Sequence, residues 1–492
     1  MQTEILDVLI VGAGVSGIGM ACTLKTQCPG KTFAILERRQ QLGGTWDLFR
    51  YPGVRSDSDM LTYGYQFRPW NDFKILADGA SILHYLQDTA RAQGIEGAIQ
   101  YGLKITRADW SQSTQLWQVD AVQEGGGEQR NFRCRQLAMC TGYFNYDAGH
   151  TPEFPGIEQF AGTVVHPQHW PQTLDYGGKR VVVVGSGATA VTLVPALAET
   201  AAHVTMLQRS PGYVMSLPTT DAVTKILSRI MPVHWAFAFA RRRNIVVARW
   251  IYAAARKWPH KVRKFLLAQA QKQLRGSTDM VHFTPAYMPW DQRLCIVPNA
   301  DLFAAIRNGK ASVATDQIAG FTGNKITLRS GKELEADVLV TATGLDMQAF
   351  GGMEITVDGQ PYEVSRHMLY KGVMLEGLPN FAWIIGYTNA SWTLKADLAA
   401  AYICRLIKHL DAQGFTVAVP RDREGCKVEQ SIMGNLNSGY VLRATEKLPR
   451  QGSRAPWQVK HHYPSDKTAL LHEPIDDGVL VFERAKQELS AA

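Results

Sequence analysis

The feature that most limits how this chain can fold is a glycine-rich unit that occurs twice. Asp7–Val11 is an apolar run that leads into Gly12-Ala-Gly-Val-Ser-Gly17, and Arg180–Val184 leads into Gly185-Ser-Gly-Ala-Thr-Ala190. Each loop follows a predicted strand and precedes a predicted helix, which is the setting in which G-x-G-x-x-G/A binds a dinucleotide. The repeat predicts an α/β fold with two Rossmann-like domains.

The two units differ at the position that faces the ribose of a bound nucleotide. The second strand of the first unit ends in Glu37, 20 residues after Gly17. An acid there accepts hydrogen bonds from a free 2′-hydroxyl and repels a 2′-phosphate, which favours FAD or NAD. The matching positions of the second unit are Gln208 and Arg209, which suit a 2′-phosphate. The sequence therefore predicts FAD in the first unit and NADPH in the second.

Length and composition indicate a globular protein of roughly three domains. The chain has 492 residues, of which 46% are hydrophobic and 20% charged. Its seven cysteines include no C-x-x-C pair, so no metal site is predicted and a disulfide reductase is excluded. We expect a reducing, cytoplasmic compartment. The N-terminus has no basic n-region and no long apolar run exists, so neither a signal peptide nor a membrane span is predicted.

The positive charge of the chain is concentrated in one segment. The net charge is +8, and residues 222–278 contain 13 Lys or Arg and no Asp or Glu, interleaved with aromatic side chains. One interpretation is weak association with anionic membrane surfaces. The interpretation that we favour is that the aromatics form the segment's own core and line a substrate site, while some arginines attract NADPH. No nucleic-acid partner is predicted.

Residues 160–171, between the two units, read F-A-G-T-V-V-H-P-Q-H-W-P. They have no helical or strand period, so a connector is expected. The segment fits F-x-G-x-x-x-H-x-x-x-W-P at every fixed position: Phe160, Gly162, His166, Trp170 and Pro171. This resembles the fingerprint of Baeyer–Villiger monooxygenases, the ketone-oxidising branch of the flavin-containing monooxygenases. Related members outside that branch typically have Tyr or Phe in place of Trp170. The resemblance implies that the segment couples the movements of the two domains.

Further motifs extend the resemblance over nearly the whole chain. L-G-G-T-W-D-L-F-R-Y-P-G-V-R-S-D at 42–57 and P-W-D-Q-R-L-C at 289–295 are similar to the ethionamide-activating subgroup of type I Baeyer–Villiger monooxygenases. The resemblance implies that Arg293 lies over the flavin and pairs with Asp57. Gln292 stands where the family commonly has a lysine that holds the 2′-phosphate, so selectivity for NADPH would depend more on Arg209. From the motifs and the resemblance together, the expected cofactor-binding residues are Gly12, Gly14, Ser16, Gly17, Glu37, Gly44, Thr45, Trp46, Asp47, Leu48, Arg55, Ser56, Asp57, Ile105, Val184, Gly185, Ser186, Gly187, Ala188, Thr189, Ala190, Gln208 and Arg209.

The expected domains are an FAD-binding domain (1–149 and 384–492), an NADPH-binding domain (150–210 and 291–383) and a helical insertion in the latter (211–290). A helix is predicted from about residue 391, with its N-terminus towards the flavin. Residues 411–492 are expected to add no further chemistry.

The resemblance implies that NADPH reduces FAD and that the reduced flavin and dioxygen form a C4a-peroxide. The peroxide converts a small ketone into an ester or lactone, while Arg293 stabilises the developing oxyanion. A thioether or thioamide is the alternative substrate, and sulfoxidation is an expected side activity. The rival enzyme is a flavin-containing S- or N-monooxygenase. A non-catalytic nucleotide sensor would need both loops but not Arg293, Asp57 and the fingerprint together, so it is disfavoured.

Overall fold

The computed structural model of the chain describes residues 4–434 and 438–485. Within them the helices are α1 Val15–Gln27, α2 Thr45–Leu48, α3 Met60–Tyr63, α4 Gly79–Ala92, α5 Ala188–Leu197, α6 Ala222–Ile230, α7 Val233–Lys257, α8 Pro259–Leu274, α9 Asp301–Arg307, α10 Trp392–Gln413, α11 Gly439–Ala444 and α12 Tyr463–Leu471. The strands are β1 Ile5–Val11, β2 Phe33–Leu36, β3 Ile99–Gln100, β4 Leu103–Ser111, β5 Leu116–Gln123, β6 Gln129–Met139, β7 Phe144–Gly149, β8 Thr163–Val165, β9 Arg180–Val184, β10 His203–Gln208, β11 Val214–Leu217, β12 Cys295–Pro298, β13 Ala311–Thr315, β14 Ile318–Thr322, β15 Lys325–Leu328, β16 Glu333–Glu335, β17 Val338–Val340, β18 Leu345–Met347, β19 Glu354–Val357, β20 Gln360–Pro361, β21 Leu369–Tyr370, β22 Met374–Leu375, β23 Phe381–Trp383, β24 Val417–Pro420, β25 Lys427–Ser431, β26 Arg450–Gly452 and β27 Leu480–Glu483.

The first sheet has the strand order β20-β19-β4-β5-β6-β1-β2-β3, and β21, β22 and β23 join it beside β6. At its centre β1 lies parallel to both β2 and β6. Helices α1 and α10 pack against each other over this sheet. Trp110, Trp117 and Trp383 are fully buried in the apolar layer that contains Leu9 and Val11 of β1. The first glycine loop therefore leaves the middle of a sheet that is covered on both faces.

The second sheet has the order β13-β10-β9-β17-β8, and every pair in it is parallel. Val181, Val182 and Val183 of β9 are buried on both sides, as expected for a parallel strand between layers. Helices α5 and α9 pack together against this sheet. The predicted fold class, two Rossmann-like units in an α/β chain, is confirmed.

The chain returns to the first sheet earlier than the sequence predicted. The expected boundary was residue 384, but β19 pairs with β4 and β23 pairs with β6, so residues 354–383 already contribute strands to the first sheet. These strands have two to four residues each. Such short strands carry no period of their own, and their partners lie more than 200 positions away in the chain. The boundary was therefore not visible in the local sequence.

The predicted insertion at 211–290 is mostly helical, with α6, α7 and α8 in succession. It begins differently from the prediction, because residues 214–217 form strand β11, which lies parallel to β12. The two strands close the base of the insertion, and Arg241 of α7 fastens it to the first unit by donating to the carbonyl oxygens of Leu61, Thr62 and Gly64.

The segment 160–171 was expected to contain no regular element, and this was wrong. Thr163–Val165 forms β8, which pairs in parallel with β17 at the edge of the second sheet. Three residues are too few to show a period, so only the neighbouring strand makes this a strand. None of the helices in the described part of the chain is long and apolar enough to cross a lipid bilayer.

Candidate active site

A cleft of about 330 Å³ lies where the two units meet. It is lined from both glycine loops and from the loop that follows the insertion. The cleft-lining residues among those predicted are Gly12, Gly14, Ser16, Glu37, Gly44, Thr45, Trp46, Arg55, Ser56, Asp57, Ile105, Ala188, Thr189 and Arg293. Residues from widely separated parts of the sequence therefore meet in one place.

The first glycine loop has the geometry of a nucleotide cradle. Gly12 has φ +99°, and a Cβ atom on it would lie 2.8 Å from the carbonyl oxygen of Cys140. A Cβ atom on Gly17 would lie 1.8 Å from the oxygen of Gly12, so the helix can pack this closely only with glycine there. On the cleft side, a Cβ atom on Gly14 would contact only Gly44. The backbone is therefore open to a pyrophosphate, as the sequence predicted.

Glu37 is 4% exposed and lines the cleft. Its carboxylate accepts hydrogen bonds from the backbone N–H groups of Ala13, at 2.7 Å, and Arg39, at 2.9 Å. Burial raises the pKa of this carboxyl group, and the two N–H groups oppose that effect. Each oxygen keeps a lone pair, so the side chain can also accept from a ribose hydroxyl.

Asp47 and Leu48 do not line the cleft, so their predicted part in binding the cofactor stays a prediction. The carboxylate of Asp47 is 1% exposed and contacts Arg39, Arg50 and Gln41. Three donors already satisfy this carboxylate, and the side chain of Leu48 is buried. Both residues shape the turn that presents Thr45 and Trp46.

Arg293 and Asp57 form an ion pair across the boundary between the two units. Nη2 of Arg293 is 3.0 Å from Oδ2 of Asp57 and 3.3 Å from Oδ1. The two residues are 236 positions apart in the sequence. The Asp57 carboxylate raises the pKa of Arg293, so the guanidinium group stays charged at any working pH. The Arg293 side chain is 42% exposed, and this exposure is towards the cleft that it lines.

Two aromatic residues that were not predicted from the sequence lie beside this pair. Tyr440 of α11 and Tyr143 lie against the guanidinium group of Arg293 and, after Asp57, also raise its pKa. Tyr440 belongs to residues 411–492, for which no further chemistry was predicted, so its position beside Arg293 was not foreseen. Tyr143 could have been found, because it directly follows a Thr-Gly turn at the end of a predicted strand. Nothing near Tyr440 in the sequence indicates that it reaches this site.

The helix that starts at Trp392 points its first turn at the cleft, as predicted. The indole Nε1 of Trp392 donates to Ser16 Oγ at 2.8 Å, and the ring lies 5.2 Å from that of Tyr143. This contact connects the second half of the first unit to its glycine loop. Ser16 itself is buried in the first turn of α1.

The segment R-Y-P-G-V-R packs the first unit against the second. A Cβ atom on Gly53 would lie 2.8 Å from Cβ of Ala196 in α5. Arg55 Nη1 is 2.7 Å from Oδ2 of Asp301. The second nitrogen, Nη2, is buried and has no hydrogen-bond partner among the described residues. Because Arg55 also lines the cleft, an unsatisfied guanidinium N–H beside it suits an anionic or polar group of a bound nucleotide.

The second glycine loop repeats the packing of the first. Gly185 has φ +142°, and a Cβ atom there would lie 2.3 Å from the carbonyl oxygen of Ala342. Gly187 has open space where a Cβ atom would be. Ser186 Oγ donates to the carbonyl oxygen of Ser210 at 3.0 Å, which closes the loop over the end of β10. Of the residues predicted in this unit, Ala188 and Thr189 reach the shared cleft, whereas Val184, Gly185, Ser186, Gly187, Ala190, Gln208 and Arg209 do not line it.

The ribose position of the second unit is formed by Gln208 and Arg209. Gln208 is 2% exposed, and its amide nitrogen donates to the carbonyl oxygen of His282 at 2.7 Å and to Thr315 Oγ1 at 2.9 Å. Both N–H donors of the Gln208 side chain are therefore used within the protein. Arg209 is exposed and has no carboxylate within 4.0 Å in the described chain. Burial and, to a smaller extent, the charge of Arg209 lower the pKa of Arg443, which places a second guanidinium group nearby.

Phe160 and Gly162 of the fingerprint pack against the second unit. Phe160 is buried against Phe321, with ring centroids 5.6 Å apart. A Cβ atom on Gly162 would lie 2.6 Å from the carbonyl oxygen of Asp337. The ring of Trp170 packs edge-on against Tyr176, and Pro171 is exposed.

His166 is the fingerprint residue with the most specific contacts. Its Nδ1 accepts from the backbone N–H of Gln168 at 3.2 Å, and its Nε2 donates to the carbonyl oxygen of Gly344 at 3.3 Å. The ring fills the place where a Cβ atom on Gly149 would be. Burial lowers the pKa of His166, which agrees with the neutral ring that these two hydrogen bonds require. Gly149 and Gly344 belong to the two chain connections between the units, and β7 and β18 pair beside them.

Two Rossmann-like units that share a cleft, with an arginine–aspartate pair at their boundary, define a protein that can bring two dinucleotides together. The sequence model of the flavin-binding monooxygenase-like family matches residues 6–413. The chain belongs to this family. The predicted class, a flavin-dependent monooxygenase, is thereby confirmed.

Among proteins with known sequences, the chain is 57% identical to MymA of Mycobacterium tuberculosis over 490 residues, which is 99% of each chain. It is 50% identical to the FAD-containing monooxygenase EthA of the same organism over 485 residues, which covers 98% of this chain and 99% of EthA. Among solved structures, it resembles an oxidised steroid monooxygenase bound to NADP, with a TM-score of 0.78 at 22% identity, over 98% of this chain and 100% of the other. The family and the fold expected from the sequence are both confirmed.

Proposed function

We propose that this protein is a Baeyer–Villiger monooxygenase that inserts one oxygen atom of dioxygen beside the carbonyl group of a small ketone. The products would be an ester or lactone, water and NADP⁺, with NADPH as the reductant. The observation that carries this proposal is the Arg293–Asp57 pair, which the fold assembles from the two units at the cleft.

The prediction that FAD and NADPH are the cofactors is confirmed at the level of the enzyme class. The chain is 50% identical in sequence to a protein named as an FAD-containing monooxygenase. Its fold is that of a steroid monooxygenase whose structure was solved with NADP. The residues of this chain fit such groups, because Gly14 leaves its backbone open and Arg55 has an unsatisfied N–H beside the cleft. When bound, FAD supplies the activation of dioxygen and NADPH supplies the reducing equivalents.

The residues of the chain would then bind, orient and stabilise charge. Glu37 would bind the ribose of FAD, and Arg209 the 2′-phosphate of NADPH. Arg293 would donate hydrogen bonds to the substrate oxygen as it gains negative charge, and a donor of this kind typically contributes about 3–4 kcal/mol to the transition state. Asp57 would hold the guanidinium group in position, and Tyr143 and Tyr440 would restrict it from the other side.

The proposal is tested by incubating the holoenzyme with NADPH, ¹⁸O-labelled dioxygen and a panel of ketones and thioethers, followed by mass spectrometry. The expected result is an ester or lactone that carries one ¹⁸O atom, with a smaller amount of labelled sulfoxide. Labelled sulfoxide or N-oxide without any ester, over the whole panel, would instead identify a flavin-containing S- or N-monooxygenase.

A further inference from the structure

Large apolar side chains that are exposed to solvent are concentrated in one part of this molecule. Sixteen are exposed among the described residues, and eleven of these lie in the helices of the insertion or at their ends. They are Val223, Ile226, Ile230, Val233, Trp235, Phe239, Val246, Val247, Trp250, Trp258 and Phe265. We refer to the exposed side chains of α6, α7 and α8 as the insertion face. A concentration of this kind marks an interaction surface.

On α7, five of the exposed side chains form a stripe along the helix. Trp235, Phe239, Arg242, Val246 and Trp250 are all exposed and follow the spacing i, i+4, i+7, i+11, i+15, which keeps them on one side of a helix. The opposite side of α7 packs inwards through Ala236, Phe237, Ala240, Ala254 and Ala255, which are buried. The stripe is about 22 Å long, from the rise of 1.5 Å per residue. Trp235 and Trp250, near its ends, are 65% and 67% exposed.

The neighbouring helices have the same mixture of apolar and basic residues. On α6, Val223, Ile226 and Ile230 are exposed beside Lys225 and Arg229. On α8 and the residue that precedes it, an exposed stripe runs through Trp258, Lys261, Phe265, Ala268 and Lys272. Apolar side chains thus alternate with positive ones over all three helices.

Most of the positive charge in this segment has no acidic partner. Arg241, Arg243 and Arg256 are the basic residues of 222–278 that have a carboxylate within 4.0 Å, and these are directed to Asp397, Asp221 and Asp291. The other ten of the 13 have none in the part of the chain that the structure describes. Since the segment has no acid of its own, the insertion face is strongly positive.

The structure does not support the interpretation that the aromatics of 222–278 form an internal core and line the substrate site. Phe237 is buried against Phe73, but Trp235, Phe239, Trp250 and Phe265 are exposed. No residue of 222–278 lines the cleft that contains Arg293. A second copy of this chain would be a poor partner too, because a symmetric contact would bring two positive faces together.

We propose that the insertion face binds the surface of an anionic lipid bilayer. Its tryptophan, phenylalanine and aliphatic side chains would enter the boundary between headgroups and acyl chains, while lysine and arginine would contact lipid phosphates. Helices that lie in the plane of a membrane surface are rich in lysine and arginine and also carry tryptophan, phenylalanine and leucine. The surface continues to the loop that carries Arg293, since Arg256 pairs with Asp291 and Tyr252 packs on Trp290.

The proposal is tested with the full-length holoenzyme and sedimented lipid vesicles of two compositions, phosphatidylcholine alone and phosphatidylcholine with 30% phosphatidylglycerol. At 0.05 M NaCl we expect at least tenfold more bound protein on the anionic vesicles. At 0.5 M NaCl this binding should fall at least fivefold, because salt screens the charges. Absence of binding to anionic vesicles at low salt, or equal binding to both compositions, would overturn the proposal.

Two variants test which side chains are responsible. The charge variant replaces Lys225, Arg229, Arg242 and Lys257 by Gln. The apolar variant replaces Trp235, Phe239 and Trp250 by Ser. Each should bind anionic vesicles at least tenfold more weakly than the parent, while FAD content and NADPH oxidation show that the fold is intact.

A matched control replaces four other exposed basic residues, Lys310, Arg329, Lys332 and Arg423, by Gln. This control has the same net charge as the charge variant, and it should bind vesicles like the parent. If it loses binding to the same extent, net charge and not the insertion face would explain the attraction. If sedimentation velocity shows that the apolar variant abolishes self-association while vesicle binding persists, the face would be a protein–protein interface.

Discussion

The two glycine loops of this chain follow the same turn between strand and helix. They differ in whether the third small residue of the loop leaves space for a Cβ atom. In the first, the third glycine of the loop, Gly17, has no space for a Cβ atom, which would lie 1.8 Å from Gly12 O. In the second, the same position is already Ala190, and it is fully buried without conflict. The first loop therefore brings its helix closer to its strand than the second does.

The units also differ in what surrounds the ribose position. Glu37 is buried and accepts hydrogen bonds from two backbone N–H groups, so its position at the first unit's side of the cleft is fixed. Arg209 is exposed at the end of β10, with Arg443 nearby. A cofactor that stays bound suits the rigid, enclosed site, whereas one that must enter and leave at each turnover suits the open site. We therefore expect substitutions in the first unit to affect folding and flavin retention, and those in the second to affect affinity.

The largest effect is expected for Gly17→Ala. The new Cβ atom would collide with the backbone at Gly12, so α1 would have to move away from β1. We expect a loss of about 3 kcal/mol or more in the free energy of unfolding, together with loss of bound flavin. Thermal unfolding and flavin absorbance per mole of purified protein measure these two quantities.

The matched control for this substitution is Ala190→Gly in the second unit. It removes a methyl group from a helix and should cost about 1 kcal/mol, with flavin content unchanged. If Gly17→Ala were as mild as Ala190→Gly, the proposed difference between the two loops would not exist.

The second largest effect is expected for Arg293→Ala. Arg293 belongs to the second unit and pairs with Asp57 of the first. Arg293→Ala should lower the rate of ester formation by about 10²- to 10³-fold, because it removes the donor to the developing oxyanion. Flavin reduction by NADPH should stay within about tenfold of the parent rate, equivalent to roughly 1.4 kcal/mol. Stopped-flow absorbance follows the reduction, and mass spectrometry follows the ester. Ester formation at the parental rate would remove Arg293 from the mechanism.

Arg209→Ala tests the ribose position of the second unit. It should weaken NADPH binding by about 1.5–3 kcal/mol and leave NADH binding nearly unchanged, because only NADPH carries the 2′-phosphate. Dissociation constants from fluorescence titration of the two cofactors measure the difference. A smaller loss is expected for Arg443→Ala. Equal weakening of NADPH and NADH in the Arg209 variant would mean that this residue holds another part of the nucleotide.

The smallest effect is expected at His166, between the two units. Because burial lowers its pKa below the usual value of about 6.5, the folded state prefers the neutral ring. The stability from this residue is present above the unfolded-state pKa and is lost as pH falls through the lower folded-state pKa. His166→Gln should cost about 1 kcal/mol at pH 7.5. The free energy of unfolding of this variant should also decline less than that of the parent protein as the pH is lowered.

Urea unfolding of the parent and the His166 variant, at a series of pH values from 7.5 downwards, measures how the stability of each depends on pH. The matched control is His84→Gln, since His84 is a surface residue of α4 beside Asp88. If the His166 variant lost stability in parallel with the parent over the whole range, His166 would not be the group responsible.

Local sequence was sufficient to predict those parts of the site that are formed by residues close together in the chain. Both glycine loops, the strands before them and Glu37 were predicted at their observed places, because a G-x-G-x-x-G/A turn between strand and helix is encoded within about 30 residues. The fingerprint positions were assigned because their spacing resembles a pattern known from a family. The strand within them, Thr163–Val165, was not, since three residues form a strand only when a partner such as β17 is supplied.

The sequence by itself determined the two nucleotide units, their different ribose positions and the basic character of 222–278, since each depends on residue type and spacing within one segment. The tertiary structure alone decided that residues 354–383 join the first sheet, that Tyr440 reaches Arg293, and that Asp47 is used by Arg39 and Arg50. It also decided that the aromatics of the insertion face outwards. The helical period shows which side chains share a side of α7, but which side is covered depends on Phe73, Asp397 and other groups far away in the sequence.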